Sequence, residues 1–262
     1  VYTVTASNAG GSSTATVTIQ VNDVAPYSVS YSGTPFTLTK GTAMTAVTPS
    51  ASGGAVDTWS ISSTLPAGLS FDTSTGKISG TPSAISSSTT YTITATNTGG
   101  STTTTVDITV NDVAPSIAYS GSPFTLTKGT TMTAAAPTSS GGTVISWSVS
   151  PTLPAGLSFD TSNGEISGTP TAITSSATYT ITASNTGGSD TATITIVVND
   201  ALPVIAYSPN SYTLTKGTAM TTATPTSGGG AVVGWTISPT LPAGLSIDAS
   251  SGDISGTPTA VT

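Results

Sequence analysis

The segment Tyr179-Thr-Ile181-Thr-Ala183 alternates apolar side chains with threonine, and the segment Ile194-Thr-Ile196-Val-Val198 follows much the same pattern. A period of two is what a half-buried β-strand requires, because successive side chains point to opposite faces of a sheet. The turn sequence Thr186-Gly187-Gly188 lies between the two segments and joins them as a hairpin. No stretch of the sequence has the apolar spacing of an amphipathic helix, and its commonest residues are mediocre to poor helix formers. We therefore predict an all-β protein without helices.

The pattern recurs along the chain with a long period. Trp59, Trp147 and Trp235 are 88 residues apart, and the Leu-Pro-Ala-Gly-Leu sequence at residues 153–157 repeats at the same interval. Solenoid units are shorter, about 20 to 45 residues, whereas a unit of this length can close a small core of its own. Counting apolar runs gives seven short strands per unit, one of them placed at residues 131–136. The sequence thus predicts tandem seven-stranded β-sandwiches arranged end to end.

The period divides the chain into four segments. Residues 24–112 and 113–200 are predicted to be complete sandwiches, residues 1–22 align with the last two strands of a unit, and residues 201–262 lack those two strands. A sandwich without them would expose an apolar groove and unpaired backbone groups. We expect it to be completed in one of two ways.

In the first, which the sequence favours, the chain is part of a longer covalent array, since Thr262 could join Val1 through an ordinary loop. In the second, the N-terminal hairpin of another subunit adds its strands. Both arrangements are head to tail, and a head-to-tail contact that does not close forms a filament. The expected partners are therefore copies of the chain, and the low charge would also permit lateral association.

The composition restricts the possible functions. The chain has 35% hydrophobic and only 6% charged residues, a net charge of -7, and 58 Thr and 42 Ser. Because His and Cys are absent, a Ser-His-Asp triad, a thiol nucleophile and a zinc site built on those ligands are excluded. We predict no enzymatic activity, no catalytic residue and no cofactor. An acidic chain without Arg lacks the basic surface of nucleic-acid-binding proteins, and no apolar run approaches the roughly 20 residues of a membrane span.

Two sets of repeated residues are predicted to have structural roles. Each tryptophan is expected to anchor the core of its unit, and a tyrosine opens the next-to-last strand in two of the units. An aspartate begins an Asp-x-x-x-Gly sequence in each unit, where its carboxylate can cap a tight loop and the glycine can adopt positive φ. The predicted core residues are Trp59, Trp147, Trp235, Tyr91 and Tyr179, and the turn residues are Asp72, Asp160 and Asp248.

A further prediction concerns calcium. An Asn-Asp pair precedes the first proline of each unit, which makes Asp23, Asp112 and Asp200 candidate ligands at the junctions. Calcium requires several oxygen ligands, and each junction offers one carboxylate. A linker turn capped by the aspartate side chain is the favoured alternative.

Two surface features leave binding open. Rows of threonine on predicted strands would suit ice binding or O-glycosylation, although strand propensity alone also produces them. Tyr31, Tyr119 and Tyr207 could form a sugar-binding platform, but an aromatic residue repeated once per unit favours packing. The threonine rows are Thr92, Thr94 and Thr96 on one strand and Thr191, Thr193 and Thr195 on another.

The segment Tyr91-Thr-Ile-Thr-Ala-Thr-Asn97-Thr-Gly-Gly100 resembles the end of an immunoglobulin-type domain. Residues 153–160 (Leu-Pro-Ala-Gly-Leu-Ser-Phe-Asp), followed by residues 164–170 (Gly-Glu-Ile-Ser-Gly-Thr-Pro), are similar to the bacterial "putative Ig" repeats, a cadherin-like group found in tandem in large surface proteins. The resemblance implies Ig-like sandwiches, a cell-surface or extracellular location and no catalytic residues. It predicts a structural rod that forms a filament body or a surface stalk. The alternative is an adhesin whose repeats bind glycan, ice or another surface.

Overall fold

The computed structural model describes residues 1–261 and confirms the all-β prediction, since this part of the chain contains strands, turns and loops but no helix. Accordingly, none of its elements is a helix long and apolar enough to cross a membrane. Thr262, which ends the last predicted segment, lies outside the described residues. The strands are β1 (Tyr2–Asn8), β2 (Gly11–Val17), β3 (Tyr27–Ser30), β4 (Phe36–Thr39), β5 (Ser50–Ser52), β6 (Thr58–Ile61), β7 (Leu69–Phe71), β8 (Ile78–Gly80), β9 (Ser86–Asn97), β10 (Gly100–Asn111), β11 (Ser116–Ala118), β12 (Phe124–Thr127), β13 (Thr138–Ser140), β14 (Ser146–Ser150), β15 (Leu157–Phe159), β16 (Ile166–Gly168), β17 (Thr174–Asn185), β18 (Gly188–Asn199), β19 (Pro203–Ala206), β20 (Thr226–Gly229), β21 (Leu245–Ile247) and β22 (Ile254–Gly256).

The first complete sandwich is organised around one long hairpin. β9 and β10 form the centre of a four-stranded sheet in the order β4-β10-β9-β6. β4 runs parallel to β10, with Phe36 opposite Ile108, and β6 runs antiparallel to β9, with Trp59 opposite Ala95. The second layer consists of the pairs β3–β5 and β7–β8. Both outer strands of the large sheet therefore depend on the hairpin for their backbone partners.

The core of this sandwich lies between the two layers. The inward residues of the hairpin, Tyr91, Ile93, Val106 and Ile108, are almost completely buried. They pack in one cluster with residues of the opposite layer, among them Ile78 on β8. The alternation of apolar residues and threonine thus places the apolar face against the core, as a half-buried sheet requires.

Residues 113–200 repeat this architecture. Their large sheet has the order β12-β18-β17-β14, accompanied by the pairs β11–β13 and β15–β16. This makes eight strands, one more than the sequence predicts. The strand predicted at residues 131–136 is wrong, because that segment forms only an isolated bridge from Ala135 to Ile166. Pro137 cannot donate to a sheet ladder, and the strand instead comprises the next three residues, β13.

Residues 201–261 form a reduced version of the unit. They contain only the pairs β19–β20 and β21–β22. Residues 212–215 and 234–237 are the counterparts of β4 and β6 in the 88-residue period, and they form no strand in the described chain. In the complete sandwiches those two strands pair only with the long hairpin. The N-terminal hairpin is also shorter than its counterparts. β2 ends at Val17, because it has no parallel partner like β4, with which the last four residues of β10 pair.

Spatially, the chain divides into two compact units. One contains residues 1–115, 140–144 and 184–189, and the other contains the remaining described residues. The first unit includes two turns that follow it in sequence, because linker residues contact them. The amide nitrogen of Gly142, for example, donates to the carbonyl oxygen of Val113 at 3.1 Å.

Candidate functional site

The Asp-x-x-x-Gly turn between β7 and β8 is packed against a tryptophan. The Oδ1 atom of Asp72 accepts hydrogen bonds from the Ser74 amide at 2.8 Å and the Ser74 hydroxyl at 2.6 Å, which hold the pKa of Asp72 at about 2. Gly76 has φ of +72°, and a Cβ atom there would lie 2.7 Å from Cδ2 of Trp59. Only glycine therefore fits the turn as it stands. The corresponding hydrogen bonds from Ser162 and Ser250 lower the pKa values of Asp160 and Asp248.

A tyrosine that follows the first strand of each unit holds the same turn. The Tyr31 hydroxyl donates to the carbonyl oxygen of Gly76 at 2.5 Å, and Tyr207 donates to Gly252 at 2.5 Å. Tyr119 makes the equivalent bond to Gly164. Burial raises the pKa values of all three tyrosines, that of Tyr119 to about 12. This placement favours packing over a sugar-binding platform, because the hydroxyls are directed at backbone carbonyls.

Lowering the pH from 4 to 2 is expected to destabilise the folded chain through the three turns. A carboxyl group whose pKa is lower in the folded than in the unfolded chain stabilises the fold above its unfolded pKa, about 4. This contribution is lost as the pH falls through the folded pKa, which is about 2 for Asp72. The melting temperature should therefore stay constant from pH 7 to about 5 and fall below about pH 4.

The matched variant replaces all three aspartates by asparagine (Asp72→Asn, Asp160→Asn and Asp248→Asn). It should melt at a lower temperature at pH 7 and lose less than the parent chain between pH 4 and 2. Equal acid-induced losses in the two proteins, measured by calorimetry, would contradict the role of these carboxylates.

The predicted core residues occupy different environments. Trp59 and Trp147 are each 7% exposed, and Tyr91 and Tyr179 are each 4% exposed. Trp235 is only half-buried, although its amide nitrogen donates to Ala249 O at 3.0 Å as that of Trp59 does to Thr73 O. The difference arises because residues 201–261 contain no counterpart of the β9–β10 hairpin, whose strand β9 pairs with β6 at Trp59.

Asparagine residues at the hairpin turns bind the linkers, a role that the sequence does not reveal. Asn97, at the turn of the β9–β10 hairpin, donates through Nδ2 to Val24 O at 2.7 Å and to Ala55 O at 3.0 Å. Its Oδ1 atom accepts from Gly99 N at 2.9 Å. The adjacent Thr98 hydroxyl accepts from the Asp23 amide at 3.0 Å. The sequence Asn-x-Gly-Gly predicts a hairpin turn. It does not predict which distant backbone atoms the asparagine side chain binds.

The next linker is anchored in the same way. Asn185 Nδ2 donates to Val113 O at 2.7 Å, and the Asp112 amide donates to the Thr186 hydroxyl at 2.9 Å. A Cβ atom at Gly187 would lie 2.0 Å from Asp112 O, so the turn and the linker are in close backbone contact. Each of these turns thus binds the chain that leads into its own sandwich.

The junction aspartates each accept a backbone hydrogen bond within their own linker. In Asp23, Asp112 and Asp200, Oδ1 accepts a hydrogen bond from the next residue's amide, at 2.8 to 3.0 Å. Lys40 Nζ also lies 4.0 Å from Asp112 Oδ1. Within residues 1–261, no group of three or more acidic side chains could hold a metal ion. A single carboxylate that already caps a turn does not meet the oxygen requirement of calcium.

The β1–β2 hairpin has an unpartnered apolar face. Its strands pair in register from Tyr2 opposite Val17 to Asn8 opposite Gly11, as β9 and β10 do from Tyr91 opposite Val106 onward. Tyr2 is 58% exposed, however, and Val4 is 56% exposed, whereas the equivalent Tyr91 is 4% exposed. The hairpin therefore has the structure of the central hairpin of a sandwich without the core it would cover.

In residues 201–261, it is the side chains opposite such a hairpin that are exposed. Tyr212 is 40% exposed and Leu214 is 37% exposed, whereas Phe36, the counterpart of Tyr212, is 8% exposed. These side chains border a cavity of about 190 Å³. In the complete sandwiches their counterparts on β4 pair with β10. We use the name open groove for this cavity together with residues 234–237, the counterpart of β6 at the other edge of the sheet. It is lined by Tyr212, Leu214, Lys216, Pro242, Leu245, Pro258, Ala260 and Val261.

Comparison with known families identifies this architecture. The family described as "Putative Ig domain" matches residues 23–111, 108–199 and 202–262. The chain belongs to this family. The assignment confirms the resemblance stated from the sequence, and the third Putative Ig domain is the one that contains the open groove.

The Putative Ig chain is also similar to the serine-rich adhesin for platelets of Staphylococcus aureus. The identity is 37% over 132 residues, which covers 49% of this chain and 6% of the adhesin. The same adhesin from strain MRSA252 is 36% identical over 131 residues and is covered to 10%. The chain thus spans only a small part of these relatives. Family and relatives together indicate a cell-surface or extracellular location.

Solved structures with a related arrangement are tandem Ig domains. Extracellular domains 3–5 of Drosophila OTK match with a TM-score of 0.43 and 20% identity, over 65% of this chain and 62% of that one. A three-domain Ig fragment of titin matches with a TM-score of 0.38 and 16% identity, over 91% and 89% of the two chains. These TM-scores and identities are too low to support a further argument, and the fold is established by the sheets of the Putative Ig domains themselves.

Proposed function

We propose that the chain is a structural extracellular protein, a repetitive rod that forms a filament body or a cell-surface stalk by head-to-tail continuation of its Ig-like domains. The observation that carries this proposal is the linker between the complete sandwiches. Lys40 N donates to Asn111 O at 2.9 Å on one side, and Asn185 and Thr186 bind Val113 and Asp112 on the other. A linker of a few residues that is hydrogen-bonded at both ends resists bending more than a flexible chain does.

The same proposal includes the absence of catalysis and of a resident cofactor. A chain without His and Cys has few candidate nucleophiles and bases, and its repeated carboxylates cap turns. Its partners are proposed to be further copies of the same domains.

Replacing Asn185 by alanine is expected to loosen the second linker. The change removes one donor to Val113 O, which still accepts from Gly142 N, and an exposed hydrogen bond of this kind contributes about 0.5 to 1.5 kcal/mol. Proteolysis of the linker at residues 112–114 through local opening should therefore accelerate by roughly 2- to 10-fold. Limited proteolysis followed by mass spectrometry measures the rate.

Asn163→Ala provides the matched control. Asn163 caps an exposed turn through Glu165 N at 2.8 Å, away from the linker residues. The control should leave the rate of linker cleavage unchanged. If both variants were cleaved at the linker like the parent chain, the asparagine clamp would not determine linker stability.

An adhesin is the second candidate function. It is supported by the match to the staphylococcal adhesin and by exposed threonines, including Thr191 and Thr193 on β18. An adhesin would bind a surface through its repeats, whereas a stalk would hold a separate binding domain away from the cell. Glycan arrays and thermal hysteresis measurements with the 262-residue chain test direct binding to sugars and to ice.

Immunogold electron microscopy on cells that express the chain tests the structural role. Antibodies against residues 1–262 are expected to label fibres or thin tethers outside the envelope at regular intervals. Label confined to the cell interior would contradict the proposal, as would label only at the tips of structures built from another protein.

A further inference from the structure

One turn of the second sandwich contains a chemically reactive dipeptide. Asn163-Gly164 is the only Asn-Gly sequence of the chain, since its other asparagines are followed by Ala, Asp, Thr or Ser. In such a dipeptide the backbone nitrogen of the glycine can attack the carboxamide of the asparagine, because no Cβ atom obstructs the approach. The corresponding turns of the other units contain Thr75-Gly76 and Ser251-Gly252, which have no carboxamide. Of the three copies of this turn, only the second therefore contains a group that can react.

We propose that Asn163 is a site of spontaneous deamidation whose rate is set by the hydrogen bond from Gly164 N to Asp160 O. Hydroxide removes the proton from Gly164 N, this nitrogen forms a bond with Cγ of Asn163, and the bond from Cγ to Nδ2 breaks as ammonia leaves with a proton from water. Water then opens the cyclic imide at either carbonyl, which yields aspartate or isoaspartate. The net reaction consumes one water and releases one ammonia, without an oxidant, a reductant or an enzyme. It is independent of the role of the chain as a rod or an adhesin.

The carboxamide is already polarised in the folded turn. Asn163 Oδ1 accepts a hydrogen bond from Glu165 N at 2.8 Å. Attack on Cγ moves negative charge onto Oδ1, and a backbone donor that is already in place stabilises this charge as in an oxyanion hole. In the other two units, the hydroxyl groups of Thr75 and Ser251 accept the equivalent bond. The second unit thus caps its turn with the electrophile of the reaction.

The nucleophile, in contrast, is protected. Gly164 N donates to Asp160 O at 2.8 Å, and Gly164 is buried. The glycine lies against the indole ring of Trp147, since a Cβ atom on it would be 2.7 Å from Cε3 of that ring. A proton held in such a bond reaches hydroxide only when the turn opens. The intact turn should therefore react slowly, and the reaction proceeds from its open form.

Two further contacts keep the turn closed. Asp160 Oδ1 accepts from Ser162 N at 2.8 Å and from the Ser162 hydroxyl at 2.6 Å. On the other side, the Tyr119 hydroxyl donates to Gly164 O. Residues 161–163 are themselves exposed, so that opening of the turn does not require the core to unfold. Loss of the Asp160 carboxylate should increase the population of the open turn and accelerate the reaction.

The two products should have different effects on the fold. Isoaspartate lengthens the main chain by one carbon atom, between Asp160 and Glu165, whose backbone groups are bonded to each other at 2.8 Å. The turn has no room for this atom, because Gly164 is already in contact with Trp147. Aspartate keeps the length of the chain, and its carboxylate can accept from Glu165 N as Asn163 does. The isoaspartate product should therefore destabilise the second sandwich more than the aspartate product.

The site is tested by incubating the folded 262-residue chain in mildly alkaline buffer and following it by ion exchange and peptide mapping. Each event replaces an amide by a carboxyl group, so the chain gains one negative charge. The parent should accumulate an acidic species that maps to Asn163 and contains both aspartate and isoaspartate. Asn163→Ser introduces the residue of the third unit, keeps a hydroxyl cap and should not form this species. Acidic species that map first to another asparagine, or no acidic species, would overturn the assignment.

The protecting hydrogen bond is tested with a pair of matched variants. Asp160→Ala removes the acceptor of both Ser162 bonds and should accelerate deamidation of Asn163 by about 10-fold, since hydrogen bonds to a charged group are lost. Asp72→Ala makes the same change in the first sandwich and should leave the rate unchanged. In urea all three chains should react equally fast. A folded parent that reacts as fast as the chain in urea, or as fast as Asp160→Ala, would refute the protection.

Hydrogen exchange gives an independent measure of the same opening. Exchange of the Gly164 amide and deamidation of Asn163 both require loss of the proton from Gly164 N. Asp160→Ala should therefore increase both rates by the same factor. Faster exchange without faster deamidation would show that this hydrogen bond does not control the reaction.

The structural consequence is tested on the aged parent chain, with its isoaspartate content determined by peptide mapping. Asn163→Asp reproduces the aspartate product and is the reference. The melting temperature of the second sandwich should fall as isoaspartate accumulates and should lie below that of Asn163→Asp. If chains rich in isoaspartate melted like Asn163→Asp, the turn would tolerate the longer main chain and this part of the proposal would be wrong.

Discussion

Replacing Trp59 by alanine is expected to lower the free energy of unfolding of the first sandwich by about 3 to 5 kcal/mol, the usual cost of truncating a buried aromatic residue. Trp59 is 7% exposed and supports the aspartate turn, because a Cβ atom on Gly76 would already touch its ring. The cavity left by alanine cannot be closed without moving that turn. Hydrogen exchange of the β9 amides, followed as a function of denaturant, measures the loss.

Trp235→Ala is the internal control for this effect. The residue stands at the same position of its unit and makes the same backbone hydrogen bond, but it is only half-buried. In the monomeric chain its replacement should cost less than that of Trp59. Equal losses at the two positions would show that the central hairpin does not determine the contribution of the tryptophan.

Replacing Gly156 by alanine is expected to destabilise the second sandwich by about 2 to 5 kcal/mol. The residue has φ of +89°, which costs an alanine about 1 to 2 kcal/mol. Its Cβ atom would lie 2.0 Å from the backbone oxygen of Thr169, and such overpacking adds about 1 to 3 kcal/mol. Neither atom can move alone, because Thr169 N donates to Gly156 O at 3.0 Å.

Gly129→Ala separates the two contributions. Gly129 has a similar φ of +79°, but a Cβ atom there would meet nothing within 4 Å. Only the backbone cost of about 1 to 2 kcal/mol should remain. Denaturant unfolding of both variants measures the difference, and a Gly129 variant as unstable as the Gly156 variant would contradict the steric explanation.

Much of the fold could be predicted because the signals are local. Alternating apolar residues and threonine specify strands with one buried face, and the 88-residue spacing of Trp59 and Trp147 specifies repeated cores. The misplaced strand at residues 131–136 has the same origin, since a short polar and alanine-rich run carries no distinct period. In the structure, this part of the chain pairs with β11 only after Pro137.

The candidate site was less accessible to such reasoning. Asn97 could be recognised as a turn residue, but its bonds to Val24 and Ala55 join segments that are far apart in sequence. Tyr31 could be recognised as a packing residue, but the carbonyl of Gly76 that it binds lies 45 residues away. Local patterns indicate what a residue can do, whereas its partner depends on how distant strands and turns pack together.

The sequence by itself determined the strand type, the repeat and the absence of His and Cys, because each depends on residue identity and spacing along the chain. Only the tertiary structure decided which apolar faces are covered. Tyr91 and Tyr2 begin nearly the same hairpin, yet one is 4% and the other 58% exposed. The physical reason is that burial requires a second surface, and the residues that form that surface are set by the packing of layers and not by the hairpin's own sequence.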